Sequence, residues 1–251
     1  MFWHGKKRGK ASETSKLVLF TPSCTQGGII RGEVHVGQQV ERQMRISLCL
    51  IFVTMRGREY TKEVLILAEI GGTQGGEVIP FSYGLPAALP ISSAQLMYTV
   101  QLSGRETEDV HPIEIVPDKR LALVIAAFES LDFRRVPLFG SFMGKAQQFA
   151  FVPVGYFMSV FSKAAFCLFL RDKEVSLMLQ AIGRNGAELA HIVHLSHWEL
   201  EDVDILTERI RKELTDMSDE PDKHRGAVQE PDGCAVGSAA AQLFPAGLWS
   251  E

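Results

Sequence analysis

From Leu17 onward the chain is a succession of short apolar runs cut by glycine and proline. Leu17 to Phe20 predicts a brief strand, closed by Thr21-Pro22-Ser23. Ile29 to Val36 predicts a second, with Ile30, Gly32, Val34 and Val36 on one face. In Arg45 to Thr54, Ile46, Leu48, Leu50 and Phe52 alternate with Ser47 and Cys49, the two-residue period of a strand. Glu63 to Ile70, Glu77 to Tyr83, Gln95 to Leu102 and Asp109 to Val116 continue the series. A glycine-rich loop, Gly71, Gly72, Gly75 and Gly76, separates the first two of these. Pro80 inside a strand pattern predicts an edge or a bulge, because proline cannot donate to a ladder. Strands at this spacing with turn residues between them indicate an antiparallel sandwich. The long helices a parallel sheet needs are missing from the pattern.

At Leu121 to Phe133 the period changes. Leu121, Val124, Ile125, Phe128 and Leu131 recur at helical spacing, with Asp118 placed to cap the start. Residues 134–146 read as a linker. Further strands are predicted at Gln147 to Val152, Ala165 to Leu170, Glu174 to Ala181 and Leu189 to Leu195. Leu200 to Leu214 predicts a terminal helix with an apolar stripe of Val203, Leu206, Ile210 and Leu214, acids leading and bases trailing. The expected organisation is a flexible basic arm over 1–15, a β-sandwich over 16–133, the linker, a smaller β-domain with its helix over 147–215, and a disordered acidic tail over 216–251.

Composition adds little to this outline. With 251 residues, 46% hydrophobic and 22% charged, the chain sits among ordinary globular proteins, and a net charge of −4 gives no general reason to bind nucleic acid. No run approaches the roughly 18 apolar residues that span a bilayer. Lys6, Lys7, Arg8 and Lys10 are followed by polar residues instead of the apolar core of a secretory leader, so a cytoplasmic location is expected. The four cysteines, Cys24, Cys49, Cys167 and Cys234, show neither a CxxC pair nor metal-ligand spacing, and thiols fit a reducing compartment.

Gly28-Ile-Ile-Arg-Gly-Glu-Val-His-Val36 is similar to an early strand of arrestin-like domains. Val78-Ile-Pro80-Phe81, Leu85-Pro86 and Pro90 resemble the stretch that follows, and Leu96-Met-Tyr98-Thr-Val100-Gln-Leu102 its next strand. Asp109, Ile113-Glu-Ile-Val-Pro117 and Leu131-Asp-Phe133 resemble the layout of the arrestin-like sporulation-control family of bacteria, and Gln148-Phe149-Ala-Phe151-Val152-Pro153 resembles the opening of its C-terminal half. The resemblance spans about residues 15 to 215 and implies an all-β, arrestin-like antiparallel sandwich in two halves with one or two short helices. It further implies a non-enzymatic scaffold or adaptor that binds a protein partner, with no cofactor.

Candidate chemistry is sparse. His191, His194 and His197, beside Trp198 and Glu199, suggest a metal site or a pH-responsive patch. Neither helical nor strand periodicity gathers all three, so a half-exposed strand edge and turn is the plain alternative. No G-x-S-x-G elbow or reactive cysteine context is present, and adjacent acids such as Glu108-Asp109 point apart. Phe2 and Trp3 ahead of Lys6, Lys7, Arg8 and Lys10 suggest weak contact with an anionic membrane, against a plain solubilising arm. For a protein partner, the unpaired backbone of a sheet edge is the natural receptor. Glu63 and its strand, with Gly71, Gly72, Gly75 and Gly76, form the expected location.

Overall fold

A computed structural model describes residues 15–37, 46–56, 59–70, 76–87, 89–104, 107–136, 139–143, 146–170 and 175–225. The chain divides into two compact units. The first comprises the chain up to Cys24 with Gly28–Leu85 and Met97–Ile115, and the second comprises Thr25–Gly27, Pro86–Leu96 and the chain from Val116.

The first unit is built from two antiparallel sheets, as the alternating pattern predicts. One contains β1 (Lys16–Leu19), β3 (Ile29–His35) and β6 (Val78–Gly84), in the order β1-β3-β6. The other contains β2 (Ser23–Thr25), β4 (Ile46–Arg56), β5 (Glu59–Ile70), β7 (Leu96–Gly104) and β8 (Thr107–Val116), in the order β2-β8-β7-β4-β5. Ile30 and Val34 of β3 and Tyr98, Val100 and Leu102 of β7 are buried, so one parity of each of these strands supplies the core, and Leu48 and Leu50 of β4 join them. Pro80 lies on β6, an edge strand whose position tolerates the missing N–H. A register shift between Leu48 and Cys49 lets β4 bury Cys49 and Ile51 as well.

In the second unit a six-stranded sheet is covered on one face by two helices. Its order is β10 (Ser141–Met143), β11 (Ala146–Pro153), β12 (Phe161–Leu170), β13 (Val175–Gly183) and β14 (Glu188–Leu195), with β9 (Phe133–Arg135) also pairing β11. Helix α1 (Lys119–Ser130) starts at the expected cap: Asp118 Oδ1 accepts the Leu121 N–H at 2.9 Å. Helix α2 (Val203–Asp219) is capped by Asp202, whose Oδ1 accepts from Asp204 N at 2.8 Å and Ile205 N at 3.3 Å. Val124, Phe128, Leu206, Ile210 and Leu214 from the helices join Phe149, Phe151, Phe166, Leu177 and Leu179 from the sheet in one core.

Several boundaries differ from the sequence expectation. Residues 134–146 are not a linker, because Arg134 and Arg135 pair with Val152 and Phe151 while Ser141–Met143 pairs with Gln148–Ala146. Strands of three residues carry no readable periodicity. The division between units falls at Val116 and not after Phe133, because Phe128 of α1 stacks on Phe151 and Phe166. The terminal helix begins at Val203 instead of Leu200 and runs on through Asp219, so the stretch 216–219 is helical, not tail. Met217 is buried one heptad beyond Ile210 and extends the apolar stripe, and Pro221 ends it.

Helix α1 stops at Ser130, short of the predicted Phe133, because Asp132 takes the left-handed conformation at φ 61° and turns Phe133 into β9. Besides glycine only Asn and Asp adopt that conformation with any frequency, at a cost that glycine avoids. Asp132→Gly is therefore expected to stabilise the second unit by about 0.5–1 kcal/mol, measured as a shift in the denaturant midpoint. A fall in the midpoint would contradict that account.

Candidate functional site

The three predicted histidines do not meet. His191 and His194 lie three residues apart on β14, so their side chains fall on opposite faces, and His197 sits exposed in the turn that follows. His194 Nδ1 is 3.2 Å from Ser176 Oγ on one face. On the other, His191 Nε2 meets Glu213 Oε2 of α2 at 3.0 Å. Among the described residues no group of three or more His, Cys, Asp or Glu side chains is placed to hold a metal ion. The expectation of a metal centre at His191, His194 and His197 is thus corrected by strand parity.

What β14 and α2 assemble instead is a chain of polar and ionic contacts. Glu213, buried on the helix's inner face, takes His191 on Oε2 and Arg209 Nη2 on Oε1 at 3.1 Å. Arg209 Nε also faces Glu199 Oε1 at 3.7 Å, and Glu199 Oε2 accepts the Ser196 N–H at 2.8 Å, closing the turn between β14 and α2. The buried His224 ring stands edge-on to His191, with centroids 4.9 Å apart. Burial is the main influence on His224 and pushes its imidazole below the usual histidine range, assisted by His191 and Lys223. A signal for Glu213 was present in the sequence, since an acid seven residues after Leu206 falls on the apolar stripe. For His224 there was none, as it lies in a polar stretch.

In the first unit Asp109 does the comparable work. It projects from β8, and its Oδ2 accepts the Leu17 backbone N–H of β1 at 2.7 Å, joining a strand of one sheet to a strand of the other. Its Oδ1 lies 3.1 Å from His111 Nε2, without the alignment of a hydrogen bond. Cys24 and Cys49 are buried, and burial raises both thiols above their ordinary pKa, which suits packing and not nucleophilic chemistry. Cys167 is buried too, and Cys234 lies outside the described residues.

Of the predicted partner-binding residues, Glu63 is on β5. Gly76 takes φ 86° and donates its N–H to Val36 O at 3.0 Å, whereas Gly71, Gly72 and Gly75 lie outside the described residues. The candidate membrane residues Phe2, Trp3, Lys6, Lys7, Arg8 and Lys10 also lie outside them, as does the expected tail beyond 225. No helix among the described residues is long and apolar enough to cross a membrane.

The five sheet edges of greatest interest differ sharply. Strands β1 and β2 have 4 and 3 residues, and β6 has 7 but carries Pro80. β14 is partly covered by a bridge between Leu189 and Arg225. β5 has 12 residues and no proline, ends its sheet, and exposes Val64 at 54%. It offers the longest run of edge backbone for pairing.

No family model matches the sequence, and no curated protein matches it. Among solved structures, the chain is similar to the sporulation control protein Spo0M from Bacillus subtilis, at 21% identity and a TM-score of 0.61, covering 80% of this chain and 97% of that one. A second structure, of a Bordetella pertussis protein described as ApaA, aligns at 12% identity over 40% of this chain and 85% of that one, and its TM-score of 0.18 carries no weight. The chain has a Spo0M-like, arrestin-like all-β fold.

Proposed function

We propose that this protein is a non-enzymatic, cytoplasmic bacterial adaptor of the sporulation-control type, which binds an extended segment of a protein partner along the edge of β5. The observation that carries the reading is the outer edge of β5, with which no strand pairs among the described residues. Backbone N–H and C=O groups on an edge strand pair readily with an incoming strand, and alternate side chains then set specificity. Val64 and Glu69 are exposed on β5, so a partner strand would meet an apolar and an acidic position. The likeness in fold to a sporulation control protein supports a regulatory role over an enzymatic one.

Placing a lysine on the edge is how natural sheets discourage added strands. Val64→Lys is therefore expected to weaken a partner recovered with the wild-type protein at least about tenfold, about 1.4 kcal/mol, while leaving thermal stability nearly unchanged because Val64 is exposed. Titration of that partner against both proteins by calorimetry checks it. Equal affinity for the two would remove β5 from the account.

A further inference from the structure

After α2 the chain folds back on the sheet. A short 3-10 turn, Pro221–Lys223, follows the helix, and the Ala190 N–H of β14 donates to His224 O at 3.0 Å. Leu189 and Arg225 form an antiparallel bridge. Residues 224 and 225 thus add the first step of a further strand to β14, on the side away from β13. We propose that Pro221–Arg225 is a proton-operated strap on the β14 edge, held while the His224 ring is neutral and released when that ring gains a proton.

The geometry around His224 makes a charge unwelcome there. From β14, His191 presents its ring edge-on at 4.9 Å. From α2, Glu213 faces the pair, but both of its oxygens are already engaged, one by His191 and one by Arg209. Glu220, at the junction of α2 and the strap, pairs with Lys223 of the strap at 2.9 Å, and within the strap Arg225 reaches Asp222 at 3.4 Å. Asp216 at the end of α2 acts on Lys223. An imidazolium at 224 would be buried next to His191 and Lys223, with its nearest acids committed elsewhere. Glu220 and Glu213 offset this in part, yet burial, His191 and Lys223 prevail and lower the His224 pKa.

The direction of the switch follows from linkage. The ring binds a proton less readily with the strap closed than with it open, where an ordinary pKa of about 6.5 applies. Closure is therefore fully stable above that value and weakens as the pH falls below it. What opens is the Ala190–His224 backbone bond and the Leu189–Arg225 bridge on β14, since the core of the unit is formed by other residues.

Amide hydrogen exchange resolved at Ala190 reads the strap directly, with the β13 amides as an internal reference. Between about pH 7.5 and about pH 5.5, the Ala190 protection factor is expected to fall severalfold while those of β13 hold. His224→Gln, which cannot take up a proton, should keep Ala190 protected at both values. His224→Lys, a permanent cation, should leave it open at both. An unchanged Ala190 factor in the wild type would overturn the proposal. So would an equal fall across β13, or a fall that survives in His224→Gln.

Discussion

Phe128→Ala should lower the stability of the second unit by about 3–5 kcal/mol, the usual cost of emptying a large aromatic site in a packed core. Phe128 is fully buried and stands where helix meets sheet. Its ring stacks on Phe151 at 4.8 Å and Phe166 at 5.1 Å, and meets Phe133 edge-on at 5.5 Å. Those three neighbours belong to β11, β12 and β9, so a single side chain joins α1 to three strands. The surrounding rings are rigid and held by their own contacts, Phe149 on Phe166 at 5.0 Å and Phe139 on Phe149 at 5.2 Å, and this limits collapse into the vacated space. Lost aromatic pairing adds about 0.5–1.5 kcal/mol per contact beyond burial. Guanidinium denaturation followed by circular dichroism measures the loss. A change under about 1 kcal/mol would mean that α1 does not anchor this core.

In the first unit the largest effect is expected at Gly32, the middle of the central strand β3. It pairs with Leu19 on one side and Phe81 on the other. A methyl group there would sit 2.3 Å from Val18 O and 2.7 Å from the Phe81 ring. The oxygen is backbone and cannot rotate away, and β1 is tied down by the bond from Leu17 N to Asp109. Either the strand shifts or the ladder breaks, and overpacking of this kind costs on the order of 3 kcal/mol. Gly84→Ala is the matched control, because a methyl at Gly84 meets nothing within 4 Å. Comparable denaturation midpoints for the two variants would contradict the close approach of β1 and β3.

Much of this fold could be read from residue patterns, where the pattern was long enough to carry a period. The alternation in β3, β4 and β7, the helical spacing of Leu121, Val124, Ile125 and Phe128, and the Asp118 cap all correspond to elements of the structure. Pro80 announced an edge or a bulge, because its chemistry admits few other places in a sheet, and it lies on the edge strand β6. Short strands escaped, as Ser141–Met143 has too few residues to show alternation and is defined by its partner β11. The allocation of α1 to the second unit escaped as well, since Phe128 looks the same in sequence whichever sheet it packs on. At the candidate site the histidine cluster was visible as spacing, but the pairing that matters runs from His191 to Glu213 and His224, contacts of long sequence separation. The edge position of β5 depends on strand order, which no local signal reports.

Docking of a partner strand on β5 is the proposal on which the function rests. The most direct measurement is hydrogen exchange across the chain, alone and in complex with a partner recovered by wild-type protein but not by Val64→Lys. New protection concentrated over Glu59–Ile70, with β6 and β14 unchanged, is the predicted result. Protection confined to other strands, with β5 amides exchanging as fast in the complex as alone, would contradict it.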